Sequence, residues 1–313
     1  MSGLRVENPG LFTTIQDLGR PGYRSVGVPS GGAFDVDSFR LANALAGNPP
    51  HAAALELTLL GGTYVATGPI VVALAGAPME ARIEPADGPG RQLQIPAATA
   101  LAPGDRLVLG GTRIGARTYL AVPGGFMVET LLGSRSREQP VVAREVLAAP
   151  ASRGSTYWPS GLRLEADQEP RPLRVIPGPD HGLWPSSVVR VGTRADRMGI
   201  HLEAEGVIAH AALDPDRLSG PVAPGSVQWT GSRWIVLGVS GGTMGGYPVV
   251  AQVIRADLDR IGQLRPGDRV RLVPVCLSEA VEQQRARCHH QDRRDQLLRL
   301  AVSNLVHRID RTA

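Results

Sequence analysis

The sequence contains no lysine, so all 33 of its basic residues are arginine. That absence removes a set of chemistries. The chain can form no lysine Schiff base, offers no lysine general base, carries no attachment point for biotin and has no phosphate-loop lysine. Cysteine is almost missing too: Cys276 and Cys288 are the 2 present, too few for a disulfide framework or a four-thiolate zinc site. Aromatic residues are 4% of the chain, which argues against a stacking platform for single-stranded nucleic acid. The formal net charge of +4 comes with no basic block long enough to follow a phosphate backbone, so no nucleic-acid partner is expected. No apolar run reaches the roughly 18 residues of a spanning helix, and no opening segment joins a basic stretch to an apolar one. The expectation is a cytoplasmic protein with no membrane partner.

What is present is glycine and proline, 38 and 26 in 313 residues. Without a period, that much Gly and Pro fits many short strands joined by tight turns. The length suggests two domains. Strand candidates are dense from the start: Leu4–Glu7, Leu11–Gln16, Leu55–Leu59, Thr63–Ala66, Ile70–Leu74, Met79–Ile83, Arg106–Leu109 and Thr118–Val122. Strands this close leave no room for crossover helices, so the sheets should be largely antiparallel. Val36, Phe39, Leu41, Ala42 and Leu45 fit one helical face, with Asp35 at the N-cap and Gly47 as the stop. Residues 133–170 lose hydrophobic period, and β signals resume at Leu173–Ile176. The boundaries are therefore 1–140 for an N-terminal β unit, 141–170 for a junction, 171–278 for a C-terminal β unit and 279–313 for a helical tail. In the tail Leu298, Val302, Leu305 and Ile309 share a face suited to docking on the body or on a partner chain. There is also an echo: Leu101-Ala102-Pro103-Gly104-Asp105-Arg106 matches Leu264-Arg265-Pro266-Gly267-Asp268-Arg269. Both are Pro-Gly-Asp turns feeding a strand, which chance recurrence in a β protein explains as well as duplication does.

The richest stretch for chemistry is Gly241-Gly242-Thr243-Met244-Gly245-Gly246-Tyr247-Pro248, where the run Trp234–Leu237 empties into glycines. It suggests a site or a corner. Gly238-Val239-Ser240-Gly241-Gly242 satisfies G-x-S-x-G, and Asp257 or Asp268 with His289, His290 or His307 would complete a triad in order. A nucleophile elbow needs a strand-to-helix turn, however, and the surroundings read as antiparallel β, so a serine in a tight turn is preferred. Cys288-His289-His290 cannot converge on one ion from adjacent helical positions. His51, His181, His201 and His210 are separated in sequence, and no metal site is expected. Arg197 offers a planar fork of donors and Gln228 can donate and accept, although an Asp196–Arg197 surface pair is the plainer reading of that dipeptide.

These pieces, in this order, resemble one family. The motifs are Gly10-Leu11-Phe12-Thr13-Thr14-Ile15-Gln16-Asp17-Leu18-Gly19-Arg20, Gly27-Val28-Pro29 with Gly32-Ala33-Phe34-Asp35, and Arg40-Leu41-Ala42-Asn43. They continue through Ala54-Leu55-Glu56-Leu57-Thr58, Leu132-Gly133-Ser134-Arg135-Ser136 and Asp196-Arg197-Met198-Gly199. Gly225-Ser226-Val227-Gln228, Gly245-Gly246-Tyr247-Pro248 and Arg265-Pro266-Gly267-Asp268 complete them. Together they resemble the allophanate hydrolase subunit 2 family, also called biotin-dependent carboxyltransferase-like, which includes the C component of 5-oxoprolinase and a KipA-type regulator. The resemblance implies a mainly β fold of two cyclophilin-like β-barrel units with a few short helices and a C-terminal helix. It implies a smaller subunit 1 (B-type) partner in a hetero-oligomer, an A-type protein in the oxoprolinase version, ATP used through the assembled complex, and no biotin on this chain. For the site it implies Asp35 as the catalytic carboxylate, Arg197 holding a substrate carboxylate, and Gln228, Gly245, Gly246 and Tyr247 binding the small-molecule substrate.

The chain departs from the pattern in places. Where members carry an Asp and a Gln ahead of Gly-Gly-Tyr-Pro, it has Ser240 and Gly242, with Met244 in place of a Thr. The segment after Gln228, normally a Pro-Gly-x-Gly-x-Pro turn, reads Trp229–Trp234. Three functions follow: a component of the 5-oxoprolinase C type within an ATP-dependent amide or lactam hydrolase, a non-catalytic regulatory homologue with a degraded site, or the carboxyltransferase component of a urea-carboxylase-type system.

Overall fold

The structure, a computed structural model, describes residues 2–150, 172–184, 188–204 and 213–309. It is mostly strands, with few helices, and divides into two compact units that are each discontinuous in sequence. The first comprises residues 1–19, 36–166 and 291–313, and the second 20–35 and 167–290.

In the first unit one sheet runs, edge to edge, Val146–Ala149, Ser2–Asn8, Thr63–Ala66, Arg106–Leu109, Ala81–Glu84 and Arg91–Leu93. The other runs Phe12–Gln16, Ala54–Thr58, Arg117–Ala121, Ile70–Gly76 and Ala97–Leu101. Every pairing in both is antiparallel. Alternating side chains from the two sheets, among them Leu4, Val6, Ile15, Leu55, Leu57, Tyr64, Leu74, Leu107 and Leu120, build one buried core. Each buried leucine there contributes about 1.5–3 kcal/mol. The strand Val146–Ala149 falls inside the stretch expected to be a junction. Its alanines have weak strand propensity, and it forms because Ser2–Arg5 presents an edge to it. Helix α1 (Val36–Leu45) stops where expected, at Gly47 with φ 73°. Its Phe39 meets Tyr119 edge to face at 5.8 Å.

The second unit holds an eight-stranded sheet in the order Arg269–Val270, Val189–Ala195, Gly199–Ala204, Trp234–Leu237, Ser226–Trp229, Val249–Val253, Leu173–Pro177 and Leu272–Pro274. Its two end strands are separated by Arg271 alone, and the Arg271 carbonyl accepts from the Leu173 N–H at 2.9 Å. The sheet therefore almost closes on itself as a barrel. Val175, Val191, Leu202, Val227, Trp229, Val236 and Val250 fill it, and Phe34, 3% exposed, packs in the same core. That is why residues 20–35, early in the chain, belong to this unit.

The two Pro-Gly-Asp turns have the same construction. Asp105 Oδ2 accepts from the Ala102 N–H at 2.8 Å, and Asp268 Oδ2 accepts from the Arg265 N–H at 2.9 Å. Gly104 and Gly267 have φ of 88° and 92°. A third copy, unmarked in the sequence, is Val142–Glu145: Glu145 Oε2 accepts from the Val142 N–H at 3.0 Å, and Arg144 takes the left-handed position at φ 72°. A non-glycine there costs free energy that glycine does not. Arg144→Gly should therefore raise stability by about 0.5–1 kcal/mol. Urea denaturation checks this, and an unchanged or lowered midpoint refutes it.

Helix α2 is the single turn Leu258–Ile261, and helix α3 spans Leu277–Ile309. Before α3 the Cys276 N–H donates to Glu279 Oε2 at 2.8 Å, which holds the Glu279 carboxyl below its usual range. In the second unit Arg287 of α3 donates to the Ala256 carbonyl and pairs with Asp259. In the first unit Arg40 of α1 pairs with Asp292 at 2.7 Å and Asp295 at 2.8 Å, while Arg294 and Gln291 both reach Asp37. The expected apolar face thus contributes Leu298, 4% exposed, beside a polar seam. The side chains of Val302, Leu305 and Ile309 lie outside the described ones. Among the described residues no helix is long and apolar enough to cross a membrane.

Candidate active site and family

The second unit positions all six residues singled out from the sequence. Strand Trp234–Leu237 alternates, burying Trp234 and Val236, and then enters the glycine-rich turn. The turn is held from several sides. The Gly238 N–H donates to the Met198 carbonyl at 2.8 Å, Ser240 N–H to the Arg197 carbonyl at 3.1 Å, and Gly31 N–H to the Val239 carbonyl at 3.0 Å. A Cβ on Gly238 would stand 2.1 Å from the Arg197 oxygen, so glycine is required there, whereas one on Gly242 would meet nothing nearer than 3.5 Å. Gly238→Ala should destabilise the protein by about 1–3 kcal/mol through this overpacking, with Gly242→Ala close to neutral. Equal melting temperatures for the two variants would refute the distinction.

Arg197 and Asp35 are each 4% exposed. Arg197 Nη2 donates to the Gly32 carbonyl at 2.7 Å, and Asp35 Oδ2 accepts from Gln263 Nε2 at 2.6 Å. Both therefore secure the 32–35 segment, and the guanidinium expected to hold a substrate carboxylate is engaged by backbone. Gln228, also 4% exposed, forms the second cluster. Its Nε2 donates to the Tyr247 carbonyl at 3.4 Å, and a Cβ on Gly245 would lie 2.6 Å from that nitrogen. Gly246 is exposed beside it, and Tyr247 is 44% exposed. The 238–244 turn joins the two clusters: its start rests on Arg197, and its end pairs Met244–Gly245 with Gly220–Pro221.

Sequence reasoning missed the residues that hold this loop. Arg24 donates to the Val222 carbonyl and, at 3.5 Å, to that of Gly242. Asp180 takes both terminal nitrogens of Arg217, at 3.1 and 2.7 Å, and the Val249 N–H at 2.8 Å, fixing the strand after Tyr247-Pro248. Arg24 lies in a Gly/Pro-rich loop without period, and its pairing across 198 residues leaves no local signal. Ser240 sits in a turn closed by the Gly241 N–H on the Gly238 carbonyl at 3.1 Å, followed by strand and not helix, so it is no nucleophile elbow. Among the described residues no three His, Cys, Asp or Glu side chains gather to hold a metal. Half-buried His201 is held below its usual pKa by burial and by Arg233 and Arg194, while His210 lies outside the described residues.

In the first unit, two of the quoted motifs meet. Buried Asp17 accepts from Ser134 Oγ and Ser136 Oγ, each at 2.6 Å, from the Gly19 N–H at 2.7 Å and from the Arg135 N–H at 2.6 Å. The Asp17 N–H in turn donates to Ser136 Oγ at 2.9 Å.

Comparison with known proteins places the chain in a family. The family model for a carboxyltransferase domain, subdomain A and B, matches residues 26–274. The C component of the 5-oxoprolinase of Escherichia coli K12 is 32% identical over 299 residues, covering 89% of this chain and 93% of that protein. A crystal structure of TTHA0988 superposes with a TM-score of 0.75 at 33% identity, covering 87% of this chain and 56% of the other. The Kluyveromyces lactis urea amidolyase superposes with a TM-score of 0.80 at 26% identity over 93% of this chain. This chain thus spans nearly all of the 5-oxoprolinase component, just over half of TTHA0988, and 20% of the urea amidolyase. With fold, ordered motifs and near-full-length identity in agreement, the chain belongs to the carboxyltransferase domain, subdomain A and B, family.

Proposed function

We propose that this chain is the component of the 5-oxoprolinase C type in a multi-subunit hydrolase that opens an amide or lactam at the expense of ATP, working with a subunit 1 (B-type) partner and an A-type protein. The supporting observation is the 32% identity to the C component of a 5-oxoprolinase across 89% of one chain and 93% of the other. In this reading Gln228 and the Gly245–Gly246 backbone bind the polar atoms of the amide, because a buried amide side chain beside an exposed glycine backbone offers donors and acceptors to a flat polar group. Asp35 is the carboxylate of this machinery, on the segment that Arg197 secures, and Gln263 holds its orientation. No phosphate-loop motif occurs in the chain, so the assembled complex supplies the contacts to ATP. The test mixes the protein with its cognate partners and measures ATP hydrolysis dependent on 5-oxoproline. An intact, assembled complex without turnover overturns the proposal.

Two observations favour rival readings. The urea amidolyase likeness points to carboxyl transfer, which predicts dependence on bicarbonate and a biotin carrier in the same assay. Ser240 and Gly242 point to a non-catalytic role. The geometry makes that testable, because a Cβ added at Gly242 would meet no atom closer than 3.5 Å. The double variant S240D/G242Q is checked for an unchanged melting temperature before its activity is read. Turnover gained by it marks an enzyme that lost its site, and partner binding without turnover marks a regulator.

A further inference from the structure

We propose that the first unit carries a binding groove for a small monocarboxylate, anchored by Arg135, separate from the glycine-loop cluster of the second unit. The groove has a volume of about 470 Å³, and its lining includes Ala52, Ala53 and Phe126 with His51, Glu129 and Arg135. Ala52, Ala53 and Phe126 are buried and form an apolar floor, while His51, Glu129 and Arg135 are exposed at its edge. An apolar floor bordered by a few polar groups is a composition that small-molecule sites use.

Its walls are held firmly. Asn48 donates to Asn43 Oδ1 at 2.9 Å and to the Val122 carbonyl at 2.8 Å, and accepts from the Gly124 N–H at 2.7 Å. The Phe126 N–H donates to the Ala53 carbonyl at 3.0 Å. On the other side the Asp17 carboxylate clamps Ser134, Arg135 and Ser136 by their hydroxyls and backbone. Leu132 and Gly133 both hold positive φ, 53° and 77°, to make that loop. The clamp fixes the Arg135 backbone but leaves its guanidinium alone: among the described residues it has no hydrogen-bond or ion-pair partner. Arg197, by contrast, is buried and bonded to Gly32. A guanidinium on a clamped backbone, at the border of an apolar floor and without a partner among the described residues, suits a carboxylate, which it can grip with two parallel N–H donors. Glu129 on the same groove disfavours polyanions such as nucleotides and favours a ligand whose carboxylate stands beside an N–H donor.

The choice of probe rests on the amide-hydrolase reading, whereas the site does not. The full-length chain without partners is titrated calorimetrically with 5-oxoproline and N-acetylglycine, and then with their carboxamides. Saturable binding of at least one acid is expected, weakened at least about tenfold by amidation and by Arg135→Ala, and unchanged by Arg5→Ala, which removes an exposed charge elsewhere. Arg135 is exposed, so its variant should keep the wild-type melting temperature. Failure of both acids to bind, or equal affinity for the Arg135 variant, overturns the proposal. Neither result bears on turnover by the assembled complex, which is measured separately.

Discussion

Replacing Glu56 with alanine is expected to lower the stability of the first unit by about 3–5 kcal/mol, the cost of breaking a buried ion pair by removing one side of it. Glu56 is 1% exposed and Arg117 3%. They lie on neighbouring antiparallel strands, with Tyr119 directly opposite Glu56. Tyr119 OH donates to Glu56 Oε2 at 2.6 Å, and Arg117 Nε stands 3.5 Å from Oε1. Removing the carboxylate takes an ion-pair partner from the buried guanidinium and a hydrogen-bond acceptor from the buried phenol at once. Smaller changes grade the effect. Tyr119→Phe removes one hydrogen bond and should cost about 1 kcal/mol, since the partner keeps its ion pair. Glu56→Gln keeps an acceptor for the phenol and loses the charge, so it should fall between the two. Urea denaturation followed by tyrosine or tryptophan signals reads the series. An alanine variant within about 1 kcal/mol of wild type would show that the buried Arg117 charge does not depend on Glu56, and would refute the prediction.

Much of the fold was legible because β structure writes itself locally. Leu55-Glu56-Leu57-Thr58 reads as a strand, and Gly104 and Gly267 mark turns that the structure builds in the same way, down to the aspartate that caps each. What was not legible depends on distant partners. Val146–Ala149 is a strand because the chain's first residues pair with it, and nothing in its alanines announces that. Residues 20–35 join the second unit because Phe34 enters its core, a contact that no periodicity in a Gly/Pro-rich loop can encode.

The site divides in the same way. The glycine run was recognisable as a site or a corner, and Gly238 shows the steric reason for one of its glycines. Gln228 and Gly245, grouped by their motifs, pack against each other. The supports were invisible: Arg24, Asp180 and the Asp17 clamp each reach partners far away in sequence. Arg135 shows the limit most clearly. Its motif was visible, but whether its guanidinium is engaged or exposed over a groove is a property of packing alone.

In the second unit the corresponding large effect should come from Asp257→Ala, at about 3 kcal/mol. Asp257, one of the two acids that a serine triad would have recruited, is fully buried. Its Oδ2 accepts from the Arg174 N–H at 2.9 Å and Nε at 3.0 Å, and its Oδ1 takes Arg174 Nη2 at 2.6 Å and Arg260 Nη1 at 3.2 Å. It therefore ties the strand Leu173–Pro177 to the turn that begins helix α2. Arg174 and Arg260 are 23% and 28% exposed, so both cations can regain some water when the acid is lost. That places the loss at the lower end of the range for buried pairs, below that of Glu56→Ala. The exposed pair Arg106–Glu7, with both partners more than 40% exposed, should contribute less than about 1 kcal/mol. Salt separates the two cases. Raising ionic strength should erase the effect of Glu7→Ala and leave that of Asp257→Ala nearly intact, because a buried pair is little screened. Matching salt dependence for the two variants would mean that Asp257 works through solvent and not through the hydrogen bonds that surround it.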